Sequence, residues 1–244
     1  MKTEYLMNKG RNFGWLFISI IILLGCNKEE IEVSNAIKIL PLGASRVEGN
    51  PPNHHSYRFY LWKLLIESDL TIDLVGNQED KYDYPVILGQ SFDRDHEGHS
   101  GATSEDLLYI IKQSPNLLEE SDIVLLSSPG GNDLLQSLPI TEAVKNINEI
   151  VDLILEANPN VKIVIEKMAP GHSNMMTPQM KSNLKLLHIE LEVLVSNYNP
   201  DQVFWLDLAL NFSDDLLADE VHYNLDGAAF VAEKYFEILE NLVE

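Results

Sequence analysis

The chain is predicted to be an α/β protein, a three-layer α/β/α sandwich around a five-stranded, mainly parallel sheet. Three observations predict it. Apolar, strand-like runs alternate with longer helix-like stretches from residue 37 onward. Val144, Ile147, Val151 and Ile154 step by 3, 4 and 3, the stripe of a helix packed on one side against a sheet. The connections are short: Asn158-Pro159-Asn160 stops that helix and the next strand begins at once. Such alternation leaves a parallel sheet covered on both faces.

Taken in order, the first strand is Ile37–Leu42, an apolar run that ends in the small-residue turn Gly43-Ala44-Ser45. Tyr57–Glu67 is helical, with Leu61 and Trp62 on its core face, and Thr71–Val75 is the second strand. The turn Gly98–Thr103 opens the helix Ser104–Gln113. Ile123–Ser127 reads as a buried strand, with Pro129-Gly130-Gly131-Asn132-Asp133 just past its end. Helix Glu142–Ala157, strand Val161–Glu166, helix Gln179–Asn197, strand Val203–Leu206 and helix Asp226–Leu242 complete the pattern. About 200 residues of a chain that is 45% hydrophobic overall suffice for one domain with a full core. There is no internal repeat, low-complexity tract or interior linker.

In such a sheet, ligands bind beyond the carboxyl ends of the strands. Ser45, Asn132 and the loop Asp219-Glu220-Val221-His222 all fall there. A serine hydroxyl is unreactive until a neutral imidazole takes its proton, and a carboxylate must hold that imidazole in the right tautomer. Ser45, His222 and Asp219 supply these groups, with Glu220 and Asp226 as rival acids. A tetrahedral intermediate also needs donors aimed at its oxyanion. The N–H groups of Ser45 and Gly101 and the amide of Asn132 would provide three. Taken singly, Ser45 reads as a turn or N-cap serine, Asn132 as a cap and Gly101 as a positive-φ turn. It is their joint occurrence that points to ester chemistry.

Ser45, Gly101, Asn132 and His222 stand in the order of the four marker residues of the SGNH (GDSL-type) hydrolase superfamily. The chain resembles that superfamily over residues 37–240. The resemblance implies a flavodoxin-like fold with Asp219 as the acid of the triad. Two blocks depart from the family pattern. Gly43-Ala44-Ser45 replaces Gly-Asp-Ser, losing a carboxylate expected to support the loop. Asp219-Glu220-Val221-His222-Tyr223-Asn224 replaces Asp-Gly-x-His-Pro but keeps the acid–base spacing. Within the superfamily, Tyr57-Arg58-x-x-Leu61-Trp62, Asp73-Leu74-Val75-Gly76 and Asp95–Gly101 resemble the third carbohydrate-esterase family, whose members deacetylate xylan. Ala102 stands where those usually carry Trp, which would widen the cleft or remove a sugar-stacking surface. The resemblance implies a serine esterase that takes short acyl groups, acetyl first, from carbohydrate or another small ester, with no metal or organic cofactor. A lysophospholipase or broad acylhydrolase is the alternative among enzymes. A non-catalytic glycan-binding lipoprotein is the alternative outside them.

Lys2, Lys9 and Arg11, the apolar stretch Phe13–Leu24 and Leu23-Leu24-Gly25-Cys26 read as a signal peptide too short to span a bilayer, which needs ~20 apolar residues. The ending resembles a bacterial lipobox with Cys26 as the lipidated residue. The expected division is a leader over 1–25, a tether over 26–36 and the hydrolase domain over 37–244. The expected place is the bacterial cell envelope, with lipid as the only membrane contact. Loss of the leader removes three positive charges and one negative, taking the formal net charge from −21 to −23. Such acidity argues against nucleic acid as a partner. Cys26 is the only cysteine, so no disulfide framework or thiol chemistry remains. Asp93–His99 holds two His and three other carboxylate-bearing positions, but without a helical His-Glu-x-x-His spacing it reads as a hydrogen-bonded loop. His54-His55, in a Pro/Asn loop soon after Ser45, is read as an exposed loop, with lining of the cleft as the alternative.

Overall fold

The computed structural model describes residues 36–243. The expected leader, Cys26 and all but the last residue of the tether lie outside the described residues. In chain order the elements are β1 (Ile37–Gly43), α1 (Ser45–Glu48), α2 (Arg58–Glu67), β2 (Ile72–Leu74), β3 (Gln78–Glu79), β4 (Asp95–Gly98), α3 (Ser104–Lys112), α4 (Pro115–Glu120), β5 (Ile123–Leu126), α5 (Gly131–Leu135), α6 (Ile140–Ala157), β6 (Lys162–Lys167), α7 (Pro178–Ser196), β7 (Val203–Asp207) and α8 (Leu225–Leu242). Among the described residues no helix is long and apolar enough to cross a membrane.

Five strands lie in the order β2-β1-β5-β6-β7, all parallel. Numbered along the chain this is the doubly wound order 2-1-3-4-5, whose switch point lies between the first and third strands. The chain therefore leaves β1 toward one side of the sheet and β5 toward the other, opening a crevice at their carboxyl ends. Ile39 pairs with Ile123 and Leu42 with Leu126, so these two ends are level.

The sheet has seven strands, which corrects the expected five. β2 pairs with the first half of β1 and β4 with the second, Leu42 facing Glu97 and Gly43 facing Gly98. β3 adds an antiparallel edge to β4. One strand position is thus filled by two segments with residues 75–94 looped out between them. The extra strands escape apolar patterning because β4 reads Asp-His-Glu-Gly and β3 has two residues. His96 and Glu97 are nevertheless buried.

Alternate strand residues face opposite layers, as the two-residue period of a strand requires. Ile39, Ile123, Leu125 and Val164 pack with α2 and α8 on one face. Leu40, Leu42, Val124, Leu126 and Ile163 pack with α3, α4, α6 and α7 on the other. The stripe read from α6 is there, with Ile147, Val151 and Ile154 fully buried. Three short helices were not predicted: α1, α4 and α5 have four to six residues each, below the length at which helical periodicity shows.

Candidate active site

Ser45 is the first residue of α1, directly beyond the end of β1. Its N–H therefore lacks an intrahelical partner. From the far end of the chain, the loop before α8 brings His222 over it, with Ser45 Oγ 2.9 Å from Nε2. The other ring nitrogen, Nδ1, lies 2.7 Å from Asp219 Oδ2. Asp219 Oδ1 accepts the N–H groups of Val221 and His222 at 2.9 and 2.8 Å, so the acid is braced by the turn it belongs to. Glu220 and Asp226, the rival acids, make no hydrogen bond to the ring. Burial pushes the Asp219 carboxyl up, but the two N–H donors and the His222 ring outweigh it and hold it at about 2.

Two turns frame the other side of Ser45. Gly101 adopts φ +81°, a left-handed conformation that costs a side-chain-bearing residue strain. Its turn is closed by Ala102 N–H to His99 C=O and locked by the capping box Thr103/Asp106 at the start of α3. It is tied once to α1 and once to the end of β1: Ser100 N–H donates to Glu48 Oε2 at 2.6 Å, and His99 N–H to Gly43 C=O at 3.0 Å. Gly98 makes this approach possible, since a Cβ there would lie 2.5 Å from the Glu48 nitrogen. Asn132 sits in α5, just beyond β5, and one hydrogen of its amide goes to Ala102 C=O at 2.8 Å. The second is left for a ligand. Buried Asp133 accepts from Ser104 N and Oγ, joining α5 to α3.

Ser45, Gly101, Asn132 and His222 line one cleft of about 350 Å³, and Asp219 stands behind the ring. Its far wall is apolar: Met168, Met175, Met176, Met180, Leu134 and Leu184. The arrangement can take a proton from a hydroxyl and present amide donors nearby, the two needs of acyl transfer.

Three contributors carry no local sequence signal. His54, expected to be exposed, is half-buried in the cleft and stacks on His222 with ring centroids 4.0 Å apart. The buried Arg46 donates to the carbonyls of Val221 and Ala169 at 2.8 and 2.9 Å and lies over the Tyr223 ring, clamping the His222 loop to α1. Glu166 of β6 accepts from Ser128 N–H and the Tyr235 hydroxyl, both at 2.6 Å. In Asp93–His99 the side chains of Asp93, His96, Glu97 and His99 are engaged with one another or with backbone. His99 pairs with Glu97 at 2.7 Å, His96 Nδ1 accepts from Gly98 N–H, and Asp93 accepts from Leu74 N–H. Burial drives the His96 ring down to about 3. Among the described residues no cluster of His, Cys, Asp or Glu is gathered for a metal.

A doubly wound sheet with hydroxyl, imidazole and carboxylate in line at its switch point marks the class, the carboxylic ester hydrolases. Within it the chain belongs to the GDSL-like Lipase/Acylhydrolase family, whose model matches residues 71–230. That span includes Gly101, Asn132, Asp219 and His222 and begins after Ser45. Among solved structures, the chain is similar to a carbohydrate esterase family 3 protein from Talaromyces cellulolyticus (24% identity, 85% of this chain and 98% of that one, TM-score 0.71). It is similar to a Clostridium thermocellum family 3 carbohydrate esterase (26%, 85% and 97%, TM-score 0.68) and to an acetyl xylan esterase (18%, 83% and 100%, TM-score 0.63). No curated protein matches the sequence.

The depressed Asp219 carboxyl makes a linkage prediction. Its folded value lies below its unfolded one, so the stability it contributes is present above about pH 4 and is lost as pH falls toward about 2. The stability difference between wild type and Asp219→Asn, from urea midpoints, should shrink through that window. A difference that stays constant there would contradict it.

Proposed function

We propose that the chain is a serine esterase that removes short acyl groups, acetyl first, from carbohydrate by a Ser-His-Asp mechanism. The observation that carries this reading is the continuous line Ser45 Oγ to His222 Nε2 and His222 Nδ1 to Asp219 Oδ2, at 2.9 and 2.7 Å. In the reaction, Ser45 Oγ attacks the ester carbonyl carbon as His222 Nε2 takes its proton. The oxyanion is met by the N–H groups of Ser45 and Gly101 and by the Asn132 amide. His222 then passes the proton to the departing sugar oxygen, and the C–O bond breaks. Water attacks the acyl-serine, losing a proton to His222, and the carboxylic acid leaves as Ser45 recovers its proton. Asp219 holds the tautomer throughout and stays ionised.

The likeness to a Clostridium family 3 carbohydrate esterase at 26% identity supports carbohydrate as the alcohol part. A second reading, a broader acylhydrolase, is favoured by the methionine-lined wall, because unbranched thioether side chains adapt to apolar groups of varied shape. For location, we infer a lipid anchor at Cys26 in the bacterial cell envelope, from Leu23-Leu24-Gly25-Cys26.

Ser45→Ala, shown folded by circular dichroism, should lose more than about 10³-fold in hydrolysis of acetyl esters. Asp219→Asn should lower kcat by up to ~10⁴. Asn132→Ala should lower kcat by about 10²–10³ with little change in KM, because its donor acts mainly in the transition state. A folded Ser45→Ala protein within tenfold of wild type would remove the nucleophile from this reading.

Chain-length preference is read from p-nitrophenyl esters, acetate to palmitate, compared as kcat/KM. Acetate should lead, and activity should extend to acetylated xylo-oligosaccharides. A preference for octanoate or longer would favour the second reading, and no turnover of any ester would favour a glycan-binding role.

For the anchor, Cys26→Ser should abolish incorporation of a fatty-acid label during growth. Equal labelling of the variant and wild type would sink it.

A further inference from the structure

Besides Arg46, whose guanidinium is spent on carbonyl oxygens, His54 is the titratable side chain lining the cleft, among the described residues, that the proposed reaction does not use. Its ring lies nearly parallel to that of His222, with centroids 4.0 Å apart and planes 15° from coplanar. Its loop is closed on itself and tied to the loop of the base. Asn50 and His54 form a two-residue bridge, and His55 N–H donates to Tyr223 C=O at 2.8 Å, next to the base itself. The backbone that carries the ring is therefore held in place by hydrogen bonds. The Nδ1 atom is buried and has no hydrogen-bond partner among the described residues. A proton there would be a buried donor without an acceptor, so the ring keeps its proton on Nε2 and stays uncharged.

The His222 ring needs such a neighbour. Its two nitrogens are held by one contact each, to Ser45 and to Asp219, at 2.9 and 2.7 Å. Neither resists tilting of the ring about the line joining them. Asp219 is exposed, with 40% of its side chain open, so water competes for that hydrogen bond. A flat ring against one face supplies the missing restraint.

Resting on the reading of His222 as base, we propose that His54 is a positioning residue: its uncharged ring holds the His222 imidazole in the plane that joins Ser45 to Asp219, and a proton on His54 stops the reaction. During acyl transfer His222 becomes an imidazolium. Against a neutral ring that charge is tolerated, and against a second imidazolium 4.0 Å away it is opposed. The groups that face His54 are His222 and Asp219 from the loop before α8, Glu48 from α1, and His55 beside it. Burial, then His222, lowers its affinity for a proton, while Asp219 and Glu48 raise it and His55 lowers it further. On balance its affinity for a proton lies below that of a free imidazole.

Acetyl-ester hydrolysis by wild type, His54→Ala, His54→Phe and Ser45→Ala, each checked for folding by circular dichroism, tests this. His54→Ala should lose about 10- to 100-fold in kcat with KM nearly unchanged, the effect of a loosened catalytic group. His54→Phe keeps a flat ring and should recover most of that loss. On the acid side, kcat/KM of wild type should approach a second-order dependence on protons, because either ring's proton is inhibitory. The Phe variant should stay first-order. Wild-type kcat in His54→Ala, no recovery in His54→Phe, or the same proton order in both would overturn the proposal. Activity remaining in Ser45→Ala would instead remove the underlying mechanism, so the two failures are told apart.

Discussion

Parallel pairing of β1 with β5 is the constraint on which the site depends. Ile39 through Leu42 match Ile123 through Leu126, so the two strands end level with each other. The chain then departs in opposite directions, into α1 from β1 and into α5 from β5. Everything at the cleft is hung from that parting. Ser45 comes from one side and Asn132 from the other. β4, on the opposite flank of β1, delivers the Gly101 turn through the pairing of Gly43 with Gly98. The acid–base loop has no strand to fix it, since it follows β7 at a distance. It is instead drawn in by contacts from elsewhere in the chain: Arg46 from α1 holds the Val221 carbonyl, His55 and His172 N–H groups donate to the Tyr223 and Glu220 carbonyls, and Asn224 caps α8 by accepting from Gly227 N–H at 2.9 Å.

Beneath the cleft lies a buried polar network that spans several elements. Ser127 at the end of β5 meets the hydroxyls of Tyr57 and Tyr235 at 2.7 and 2.8 Å, and Tyr235 reaches Glu166. Ser128 then takes φ +49°, a strained conformation for a residue with a side chain. Glu166 compensates that strain by accepting both the N–H and the hydroxyl of Ser128. The direction in which the chain leaves β5, and so the position of Asn132, is set by a carboxyl on the next strand. Burial pushes the Glu166 carboxyl up, which its hydrogen bonds oppose without cancelling. Groups this deep rarely remain without such partners.

The parts legible in the sequence are those with a local signature. Five apolar strands and five long helices announce themselves because a period of two or 3.6 is visible over several residues. Ser45, Gly101, Asn132, Asp219 and His222 can be picked out only jointly, as small or polar residues at turns that stand in the order of the superfamily's markers. The structure brings four of them to one cleft, with Asp219 behind. β4 is not legible, because its burial depends on Glu97 meeting Asn77 N–H and His99, contacts no periodicity encodes. Arg46, His54 and Glu166 fail for the same reason at longer range. Arg46 meets its carbonyl partner Val221 175 residues away, and a histidine in a Pro/Asn loop looks like any exposed histidine. Local pattern records what a residue's neighbours in sequence require. These three answer to neighbours in space.

The absence of a carboxylate at Ala44 can be understood in the same terms. The residue before the nucleophile lines the cleft and makes no side-chain hydrogen bond, so support for α1 has to come from elsewhere. It comes from the following turn. Glu48 reaches forward to the Ser100 N–H and Arg46 across to Val221 and Ala169, so the loops on both sides of Ser45 are fastened to α1 itself. The consequence for binding is a cleft with little free charge. The guanidinium of Arg46 is largely spent on carbonyl oxygens, and methionine and leucine supply much of the remaining lining. On a chain of net charge −21, such a cleft suits an uncharged ester, held by apolar contact on one side and by amide donors on the other.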